Sequence, residues 1–349
     1  MVKKIGILTS GGDCAGLNAV IRAATIRAVN KYNWQVFGIK DGTLGLLSNP
    51  LNVIELKPSH FDGNLMRMGG TFLGTNNKGY PPINKIISGF KQLGLDALIG
   101  IGGDGSMKIL QNLTKKGKIN FVGIPKTIDN DVENNELSIG YDTAVDVATN
   151  ALDMLQPTAA SHRRAMILEV MGRDAGHIAL NSGIAGGADV ILIPERPYTM
   201  KTIAKHIEKI RSNGRNHALI VVAESVKKED GSKATVKFVD GEVRLGGIGS
   251  YLSDEIYKMT NAETRVTVLG HVQRGAQPTH RDRLIASAFG VHAVDLIAKE
   301  KFNRVVVWQN RGVTDVDLKS IAGKSKTIHN DDPLIKVAEG LGIYVGEIN

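Results

Sequence analysis

The sequence has little of several features that define particular protein classes. Its 349 residues include one cysteine, Cys14, which excludes an internal disulfide framework and a cysteine-rich zinc site. No stretch approaches the ~18 consecutive apolar residues of a membrane-spanning helix. The apolar run near the amino terminus stops at Thr9, too early for the hydrophobic region of a signal peptide. We therefore predict a cytoplasmic protein without a membrane partner.

Aromatic residues are also scarce, and the charge is not concentrated. Aromatic side chains make up 5% of the residues, and the formal net charge of +8 comes from scattered lysines and arginines. No block of these cations is interleaved with aromatic residues, as nucleic-acid binding would require. The positive balance suits a small anionic substrate, and we predict no nucleic-acid partner.

Glycine, in contrast, is abundant. Forty glycines indicate many tight turns between strands and helices. Apolar runs rich in β-branched residues alternate with amphipathic patterns at helical spacing, which predicts βαβ units and mainly parallel sheets. The predicted strands are Lys4–Thr9, Trp34–Ile39, Asp96–Ile101, Asn120–Gly123, Ala165–Val170, Val190–Ile193, Ala218–Ala223, Thr264–Leu269 and Arg304–Val307. The predicted helices include Gly16–Asn30, Tyr141–Leu155, Met200–Ser212 and Arg281–Lys299, and Lys227–Gly241 is predicted to be a polar hairpin or loop.

Glycine-rich turns follow two of the predicted strands. The turn Ser10–Gly16 opens a helix, where unpaired amide groups and the positive helix end attract an anion. The turn Gly102–Ser106 adds the carboxylate of Asp104, and carboxylate oxygens are ligands that Mg²⁺ prefers. Together these turns indicate a phosphate-donor site without identifying the acceptor. We interpret Cys14, within the first turn, as a small buried residue rather than a nucleophile.

Charged residues follow three further strands. The segment Lys126–Asp131 carries two carboxylates, which can divide the work of metal binding and proton acceptance. A simple Asx-rich turn is the structural alternative. The segments Met171–Asp174 and His271–Arg274 add arginines and a histidine, each of which alone would be an ordinary surface residue. Because ligands bind beyond the carboxyl ends of parallel strands, the recurrence of such junctions favours an active site.

These junctions, in this order and spacing, resemble the phosphofructokinase A family over nearly the whole chain. The combination of TIDND, MGR and GHVQRG is specific to that family. The segments that carry the resemblance are LTSGGDCAGLN (Leu8–Asn18), GGTFLGT (Gly69–Thr75), IGGDGS (Ile101–Ser106), PKTIDND (Pro125–Asp131), SHRR (Ser161–Arg164), EVMGRDAG (Glu169–Gly176), AGGAD (Ala185–Asp189), PE (Pro194–Glu195) and ETRVTVLGHVQRGAQP (Glu263–Pro278), followed by Arg281–Arg283.

The resemblance implies a 6-phosphofructokinase that transfers the γ-phosphoryl group of ATP to the 1-hydroxyl of fructose 6-phosphate, with Mg²⁺ as cofactor. It implies that Asp129 is the base, beside Thr127, and that Arg173 stabilises charge on the phosphoryl group. The implied donor-binding residues are Gly12, Asn77, Lys78, Gly103, Asp104, Gly105, Ser106 and Lys126, with Asp104 as the metal ligand. The implied substrate-binding residues are Thr127, Asp129, Asp131, Arg164, Met171, Gly172, Arg173, Glu224, Arg265, His271 and Arg274.

The resemblance also implies an architecture and an assembly. We expect two Rossmann-like three-layer α/β domains with mainly parallel sheets and an active site in the interdomain cleft. The donor domain would comprise residues 1–140 plus about 273–323, and the fructose 6-phosphate domain residues 141–272 plus about 324–349. The resemblance implies that Arg164 and Arg265 reach the active site of a neighbouring subunit. We therefore expect a homo-oligomer with shared active sites, specifically a homotetramer.

This chain departs from the family pattern at its donor site. ATP users usually pair a glycine at 105 with a glycine at 126, whereas pyrophosphate users carry aspartate and lysine. Gly105 with Lys126 is a mixed pattern, and an arginine near the donor phosphates of bacterial ATP enzymes is replaced here by Asn77, next to Lys78. A pyrophosphate-dependent phosphofructokinase is therefore the alternative. Remoter alternatives are a kinase of another acceptor, of the NAD or lipid type, and a non-catalytic regulatory subunit.

A second departure concerns regulation. Arg22 matches an effector-site arginine of bacterial enzymes, but Ile26 and Gln156 stand where two further arginines are expected. An effector phosphate would lose two charge-assisted partners. We predict little response to a nucleoside diphosphate or to phosphoenolpyruvate.

Overall fold

A computed structural model describes residues 3–61, 63–76, 82–237 and 243–347, and its fold is mixed α/β with mainly parallel sheets, as predicted. The strands are β1 (Lys4–Thr9), β2 (Gln35–Ile39), β3 (Val53–Leu56), β4 (Ala97–Gly102), β5 (Phe121–Pro125), β6 (Ala165–Val170), β7 (Val190–Leu192), β8 (Ala218–Ala223), β9 (Thr235–Lys237), β10 (Val243–Leu245), β11 (Thr264–Val268), β12 (Arg304–Gln309) and β13 (Gly312–Asp317). The α-helices are α1 (Leu17–Tyr32), α2 (Ile83–Gln92), α3 (Asp104–Gly117), α4 (Tyr141–His162), α5 (His177–Ala185), α6 (Met200–Ser212), α7 (Ile248–Thr260), α8 (Val272–Gly275), α9 (His280–Ala298) and α10 (Pro333–Gly340). Short 3₁₀ helices cover Gly42–Leu46, Pro58–Phe61, Leu65–Arg67 and Leu318–Ser320.

The chain divides into two compact units, each built from two separate stretches. The first unit comprises Met1–Thr143 and Arg274–Lys326, and the second comprises Ala144–Gln273 and Thr327–Asn349. Within the described residues, no helix combines the length and the apolar character needed to cross a bilayer.

The first unit contains a seven-stranded sheet in the order β13-β12-β5-β4-β1-β2-β3. The outermost strands β3 and β13 pair antiparallel to their neighbours, and the other pairings are parallel. Every residue of β4 and β5 is buried, which is typical of parallel strands covered on both faces. The carboxyl ends of β5, β4 and β1 therefore lie side by side at one edge of the sheet.

Helices α1 and α9 pack closely in the first unit. A Cβ at Gly290 of α9 would lie 2.6 Å from the carbonyl oxygen of Val20 in α1, so a larger residue would push the two helices apart. Arg27 of α1 donates two hydrogen bonds, of 2.8 and 2.9 Å, to the carboxylate of Asp295 in α9. The pair is part-exposed, and its two parallel bonds fix the relative orientation of the helices more than they add stability.

The second unit contains a four-stranded, all-parallel sheet in the order β11-β6-β8-β7. All residues of β6 and β8 are buried. Beyond β7, the carboxyl-terminal segment forms a parallel bridge through Tyr344, whose carbonyl accepts a 2.8 Å bond from the Ile191 amide. This segment covers the β7 edge of the sheet, which would otherwise present unpaired backbone groups.

All nine predicted strands are confirmed, with bounds within two residues of those expected. The strands β3, β10 and β13 were not predicted. Strand β9 lies within the predicted hairpin or loop Lys227–Gly241 and pairs antiparallel with β10, and the residues that connect these two strands lie outside the described part of the chain. Helix α4 continues through Pro157 to His162, although the sequence predicts an end at Leu155. Ala159, beyond the proline, packs against Met166 and Leu219, and this burial offsets part of the ~3 kcal/mol that an interior proline costs.

Candidate active site

Three turns of the first unit lie at the carboxyl edge of its sheet. They follow β1, β4 and β5, which are adjacent and parallel. The amide of Ser10, at the end of β1, donates a 2.9 Å bond to the carbonyl of Ile101 in β4. The Lys126 amide, after β5, donates a 3.0 Å bond to the carbonyl of Gly102. These bonds hold together three segments that the sequence predicts to be functional.

Gly12 lies between two cationic side chains. The ammonium of Lys126 donates to the Gly12 carbonyl, and the guanidinium of Arg274 donates a 2.9 Å bond to the neighbouring carbonyl of Asp13. A Cβ at Gly12 would lie 2.6 Å from Nη1 of Arg274. Glycine at this position lets the Arg274 guanidinium approach the backbone closely, and the turn holds two positive charges where an anion would bind.

Lys126 is buried, with 4% of its surface exposed. Burial lowers the pKa of its ammonium, because the charged form loses solvation. The nearby guanidinium of Arg274 lowers this pKa further, whereas the carboxylate of Asp129 raises it. An anion that binds beside Gly12 would compensate both cations.

Helix α3 begins at this edge with Asp104 as its first residue, after the extended residue Gly103. The side chain of Ser106 lies close to the turn that follows β1, since a Cβ at Gly11 would be 3.0 Å from the Ser106 Oγ. Around Gly105, in contrast, no described atom lies within 4 Å of an added Cβ. The helix start thus combines amide donors, one carboxylate and open space beside Gly105, which suits a bulky phosphorylated ligand.

The turn after β5 contains Thr127, Asp129 and Asp131, which are all less than 10% exposed. The Thr127 hydroxyl donates a 3.1 Å hydrogen bond to Oδ2 of Asp129 and accepts one of 3.1 Å from the Asp129 amide. Asn130 has a left-handed backbone with φ of 53°, and its side chain bonds to the Glu136 carbonyl and the Ser138 amide. The turn therefore holds the carboxylate of Asp129 in a fixed orientation.

The predicted magnesium ligand is the carboxylate of Asp104. Among the described residues, no three His, Cys, Asp or Glu groups cluster as a complete metal site. Mg²⁺ in kinases is usually held by one or two carboxylates together with substrate phosphates and water. Asp104 at the start of α3 fits a metal that arrives with the donor, and the predicted donor residues Asn77 and Lys78 lie outside the described residues.

The second unit places five predicted acceptor residues near the carboxyl ends of adjacent parallel strands. Met171, Gly172 and Arg173 follow β6, Glu224 follows β8, and His271 follows β11 by three residues. Oε1 of Glu224 accepts a 3.2 Å hydrogen bond from the amide of Arg173, joining two of these segments. Arg274 belongs to the first unit, where it contacts the Gly12 turn.

Arg164 and Arg265 lie at the opposite end of the same strands. Arg164 precedes β6, and Arg265 pairs in register with Met166 near the start of that strand. Strand β6 has six residues, so at ~3.3 Å per residue Arg164 lies about 20 Å from Met171. Both arginines bond to Glu263, at 2.9 and 2.5 Å, and the hydrogen bond from Arg164 lowers the pKa of that carboxyl. Within the second unit, the structure thus separates these arginines from the predicted acceptor residues that follow β6, β8 and β11.

Several buried polar residues near these turns were not predicted to have a role. The carboxylate of Asp282 is fully buried and accepts bonds from the amides of Gly140 and Thr143 and from the Thr143 hydroxyl. Gln273 is also fully buried and accepts a 2.8 Å bond from the Met171 amide. Both residues lie within motif segments that the sequence analysis identified, but their long-range partners have no sequence signal. Cys14 is buried as predicted, and burial raises the pKa of its thiol, which makes a nucleophilic role unfavourable.

The parallel sheets and the glycine-rich turns at their carboxyl edges fit an α/β protein that binds phosphate groups. The phosphofructokinase family model matches residues 4–297. The chain therefore belongs to the phosphofructokinase family, as the sequence motifs predicted.

Curated relatives cover the whole chain. ATP-dependent 6-phosphofructokinase 1 of Nostoc sp. is 55% identical, and the protein of the same name from Synechocystis sp. is 53% identical; each match covers 99% of this chain and 99% of the relative. ATP-dependent 6-phosphofructokinase 2 of Clostridium perfringens is 41% identical over 98% of both chains.

Solved structures share the fold. Phosphofructokinase from Saccharomyces cerevisiae aligns with a TM-score of 0.79 and 29% identity, covering 91% of this chain and 45% of the yeast chain. Pyrophosphate-dependent phosphofructokinase from Marinobacter aquaeolei aligns with a TM-score of 0.83 and 19% identity, covering 99% of this chain and 89% of that one. The latter identity is low enough that the likeness concerns the fold alone.

Proposed function

We propose that this chain is an ATP-dependent 6-phosphofructokinase, which transfers the γ-phosphoryl group of ATP to the 1-hydroxyl of fructose 6-phosphate. The products are fructose 1,6-bisphosphate and ADP, and the reaction belongs to glycolysis. The observation that carries this proposal is full-length identity of 53–55% to relatives named ATP-dependent 6-phosphofructokinase. The convergence of the β1, β4 and β5 turns at one sheet edge supports it independently.

The first unit is proposed to bind the donor. Amides of the Gly12 turn and of the α3 start, from Gly103 to Ser106, would hold the phosphates, and Lys126 would supply positive charge. Asn77 and Lys78 are proposed donor contacts on sequence grounds. Open space beside Gly105 leaves room for the nucleotide part of ATP. The negative charge of the bound donor would then partly compensate the positive charges of the two cations at Gly12.

Asp104 is the proposed ligand of Mg²⁺. When bound, the metal neutralises charge on the donor phosphates and holds them in a reactive arrangement. The position of Asp104 in the first turn of α3 supports this role, because its carboxylate belongs to the helix end that attracts the donor phosphates.

Asp129 is the proposed base for the sugar hydroxyl. A carboxylate accepts the hydroxyl proton as the oxygen attacks phosphorus, and its contribution depends on orientation. The double hydrogen bond to Thr127 provides that orientation, and Asp131 on the same turn is a proposed substrate contact. Arg173, with its exposed side chain, is proposed to stabilise the phosphoryl group during transfer.

The second unit is proposed to bind fructose 6-phosphate. Met171, Gly172 and Glu224 would contact the sugar, and His271 and Arg274 would hold the 6-phosphate. Arg274 would have to exchange its hydrogen bond to the Asp13 carbonyl for a bond to phosphate. Guanidinium groups suit this ligand because they bind phosphate through two parallel bonds.

Arg164 and Arg265 are proposed to act on a neighbouring subunit. Along the strand direction Arg164 lies about 20 Å and Arg265 about 17 Å from Met171, too far to bind a phosphate held at the carboxyl ends of the same strands. Their joint contact with Glu263 places two guanidinium groups side by side at the surface, as a shared phosphate site would require. We therefore propose a homo-oligomer, specifically a homotetramer, located in the cytoplasm where glycolytic substrates occur.

Pyrophosphate is the competing donor, because Lys126 places a cation next to the Gly12 turn. A coupled assay with fructose 6-phosphate and Mg²⁺ tests both proposals. We expect kcat/KM for ATP to exceed that for pyrophosphate by at least about tenfold. Preference for pyrophosphate would overturn the choice of donor, and no product with either donor would overturn the proposed acceptor.

A further inference from the structure

Gln273 is a fully buried polar residue that joins two segments of the second unit. Its Oε1 accepts a 2.8 Å hydrogen bond from the amide of Met171, and its Nε2 donates a 3.4 Å bond to the carbonyl of Ala144. An amide side chain is the group that satisfies a backbone donor and a backbone acceptor together. Gln273 thus supplies the acceptor for the part-buried Met171 amide and a further donor for the buried Ala144 carbonyl.

The turn that Gln273 contacts has a backbone that needs external support. Gly172 has φ of 155°, and a Cβ there would lie 2.6 Å from the Ala175 carbonyl. Arg173 has φ of 52°, a left-handed conformation that side-chain-bearing residues adopt at a cost. Such a conformation persists when surrounding contacts impose it.

Two side chains stabilise this conformation, each by accepting a hydrogen bond from a backbone amide of the turn. Gln273 holds the amide of Met171, and Glu224 holds the amide of Arg173 at 3.2 Å. Glu224 is half-buried and is a proposed sugar contact, whereas Gln273 has no exposed surface. Gln273 therefore acts on a ligand through the turn, without touching it.

We propose that Gln273 is a positioning residue for acceptor binding: by holding the Met171 amide it fixes the Met171–Arg173 turn and so sets the affinity for fructose 6-phosphate. This inference rests on the proposed function. It predicts that the hydrogen-bond acceptor Oε1 of Gln273, rather than the volume of the side chain, determines the KM for fructose 6-phosphate.

The test compares Gln273→Met with Gln273→Glu. Methionine keeps the length and volume but leaves the Met171 amide unpaired, so KM for fructose 6-phosphate should rise about tenfold, the scale of one unsatisfied buried group. The KM for ATP should change by less than about twofold, because the Gly12 turn shares no hydrogen bond with Gln273. Glutamate keeps an acceptor for Met171 and should restore most of the affinity.

Hydrogen exchange gives a readout that does not depend on turnover. In Gln273→Met, a peptide covering Met171–Arg173 should exchange faster, while a peptide from β8 keeps its protection. Ser182→Ala is the matched control, since it removes a buried 2.7 Å bond to Ile178 in the same unit; its KM and its Met171 peptide should match wild type.

A folded Gln273→Met variant with unchanged KM and unchanged exchange would overturn the inference. If that variant does not fold, the KM of Gln273→Glu for fructose 6-phosphate tests the inference instead. A wild-type KM supports the hydrogen bond to Met171 as the determinant of affinity, and a tenfold rise contradicts it. Failure of wild-type protein to use fructose 6-phosphate is a separate outcome, which overturns the proposed function and leaves the exchange result to test the turn.

Discussion

Thr127 and Asp129 are joined by two hydrogen bonds of 3.1 Å, one from hydroxyl to carboxylate and one from the Asp129 amide to the same hydroxyl. The threonine oxygen thus serves as donor and acceptor within a turn of three residues. Because both residues are buried below 10% exposure, the carboxylate has little freedom to rotate. This pair is the best-defined element of the proposed catalytic group.

Asp129→Asn keeps the shape of the side chain and removes the proton acceptor. We expect kcat to fall by ~10²–10⁴-fold, the usual contribution of a positioned general base. The KM for fructose 6-phosphate should change little, because the lost interaction belongs to the transition state. Steady-state kinetics with ATP measure both values. Asp331→Asn, which makes the same chemical change at an exposed position, is the control. Retention of more than a tenth of the wild-type rate by Asp129→Asn would exclude Asp129 as the base.

Arg164→Ala and Arg265→Ala should each raise KM for fructose 6-phosphate by roughly 10- to 100-fold, the scale of a hydrogen bond to a charged group. Lys205→Ala removes an exposed cation from α6 and should have no such effect. Mixing either arginine variant with Asp129→Asn tests whether the site is shared. Hybrid oligomers should regain activity, because some of their active sites combine an intact Asp129 from one chain with intact arginines from the other. Hybrids that are verified to have formed but show only background activity would indicate that each site is built from one chain.

Gly105→Asp tests the choice of donor. An added Cβ at this position meets no described atom within 4 Å beyond its own helix and chain neighbours, so the fold should tolerate the substitution. Its carboxylate would stand where the α-phosphate and ribose of ATP pass, adding bulk and like-charge repulsion. We expect kcat/KM for ATP to fall by at least about tenfold while pyrophosphate use is unchanged or improved. Gly105→Ala, with a methyl group and no charge, separates bulk from charge, and an unaffected ATP value in both variants would refute the proposed path of the nucleotide.

Asp282 should make stability depend on pH. The pKa of its carboxyl is raised to about 6, chiefly by burial and to a lesser degree by the charge of Asp142, against the lowering effect of the hydrogen bonds from Thr143 and Gly140. The native state therefore binds more protons than the unfolded state between about pH 4 and 6, so stability from this group falls as pH rises through that range and is level above it. The change amounts to at most about 3 kcal/mol.

Urea unfolding from pH 4.5 to 7.5 measures this effect as the difference between wild type and Asp282→Asn. An amide has no proton to lose in this range, so the variant should lack the Asp282 contribution to the slope. Equal slopes for the two proteins would show that the carboxyl titrates at its ordinary pKa in the folded state.

The sequence predicted the parts of the fold that local patterns determine. Continuous apolar runs such as β6 and β8 are visible because a strand covered on both faces needs an apolar side chain at nearly every position. The edge strand β13 was missed, because its half-buried, mixed sequence GVTDVD has no such run. The predicted end of helix α4 at Leu155, before Pro157, was too early, because the burial of Ala159 that favours continuation of the helix depends in part on Leu219, which is distant in sequence.

The candidate site divides in the same way. Glycine-rich turns and the carboxylates of Asp104 and Asp129 are recognisable because their chemistry is local. The supporting bonds of Gln273 and Asp282 span more than a hundred residues of sequence, and no spacing rule predicts them. The distance between Arg164 and Met171 follows from strand β6 alone, whose bounds the sequence predicted, whereas the position of Arg265 beside Met166 depends on strand pairing, which the sequence does not specify.

Each unit is assembled from two stretches of chain, and this affects the order in which the protein can fold during synthesis. Strand β12, which pairs with β5 in the first unit, is translated after nearly all of the second unit. The second unit in turn needs Tyr344 to cover the β7 edge. A nascent chain therefore exposes incomplete sheet edges until translation is almost finished, and pairing over such sequence distances is slow. Aggregation during synthesis, rather than instability of the finished protein, is the main hazard that this topology creates.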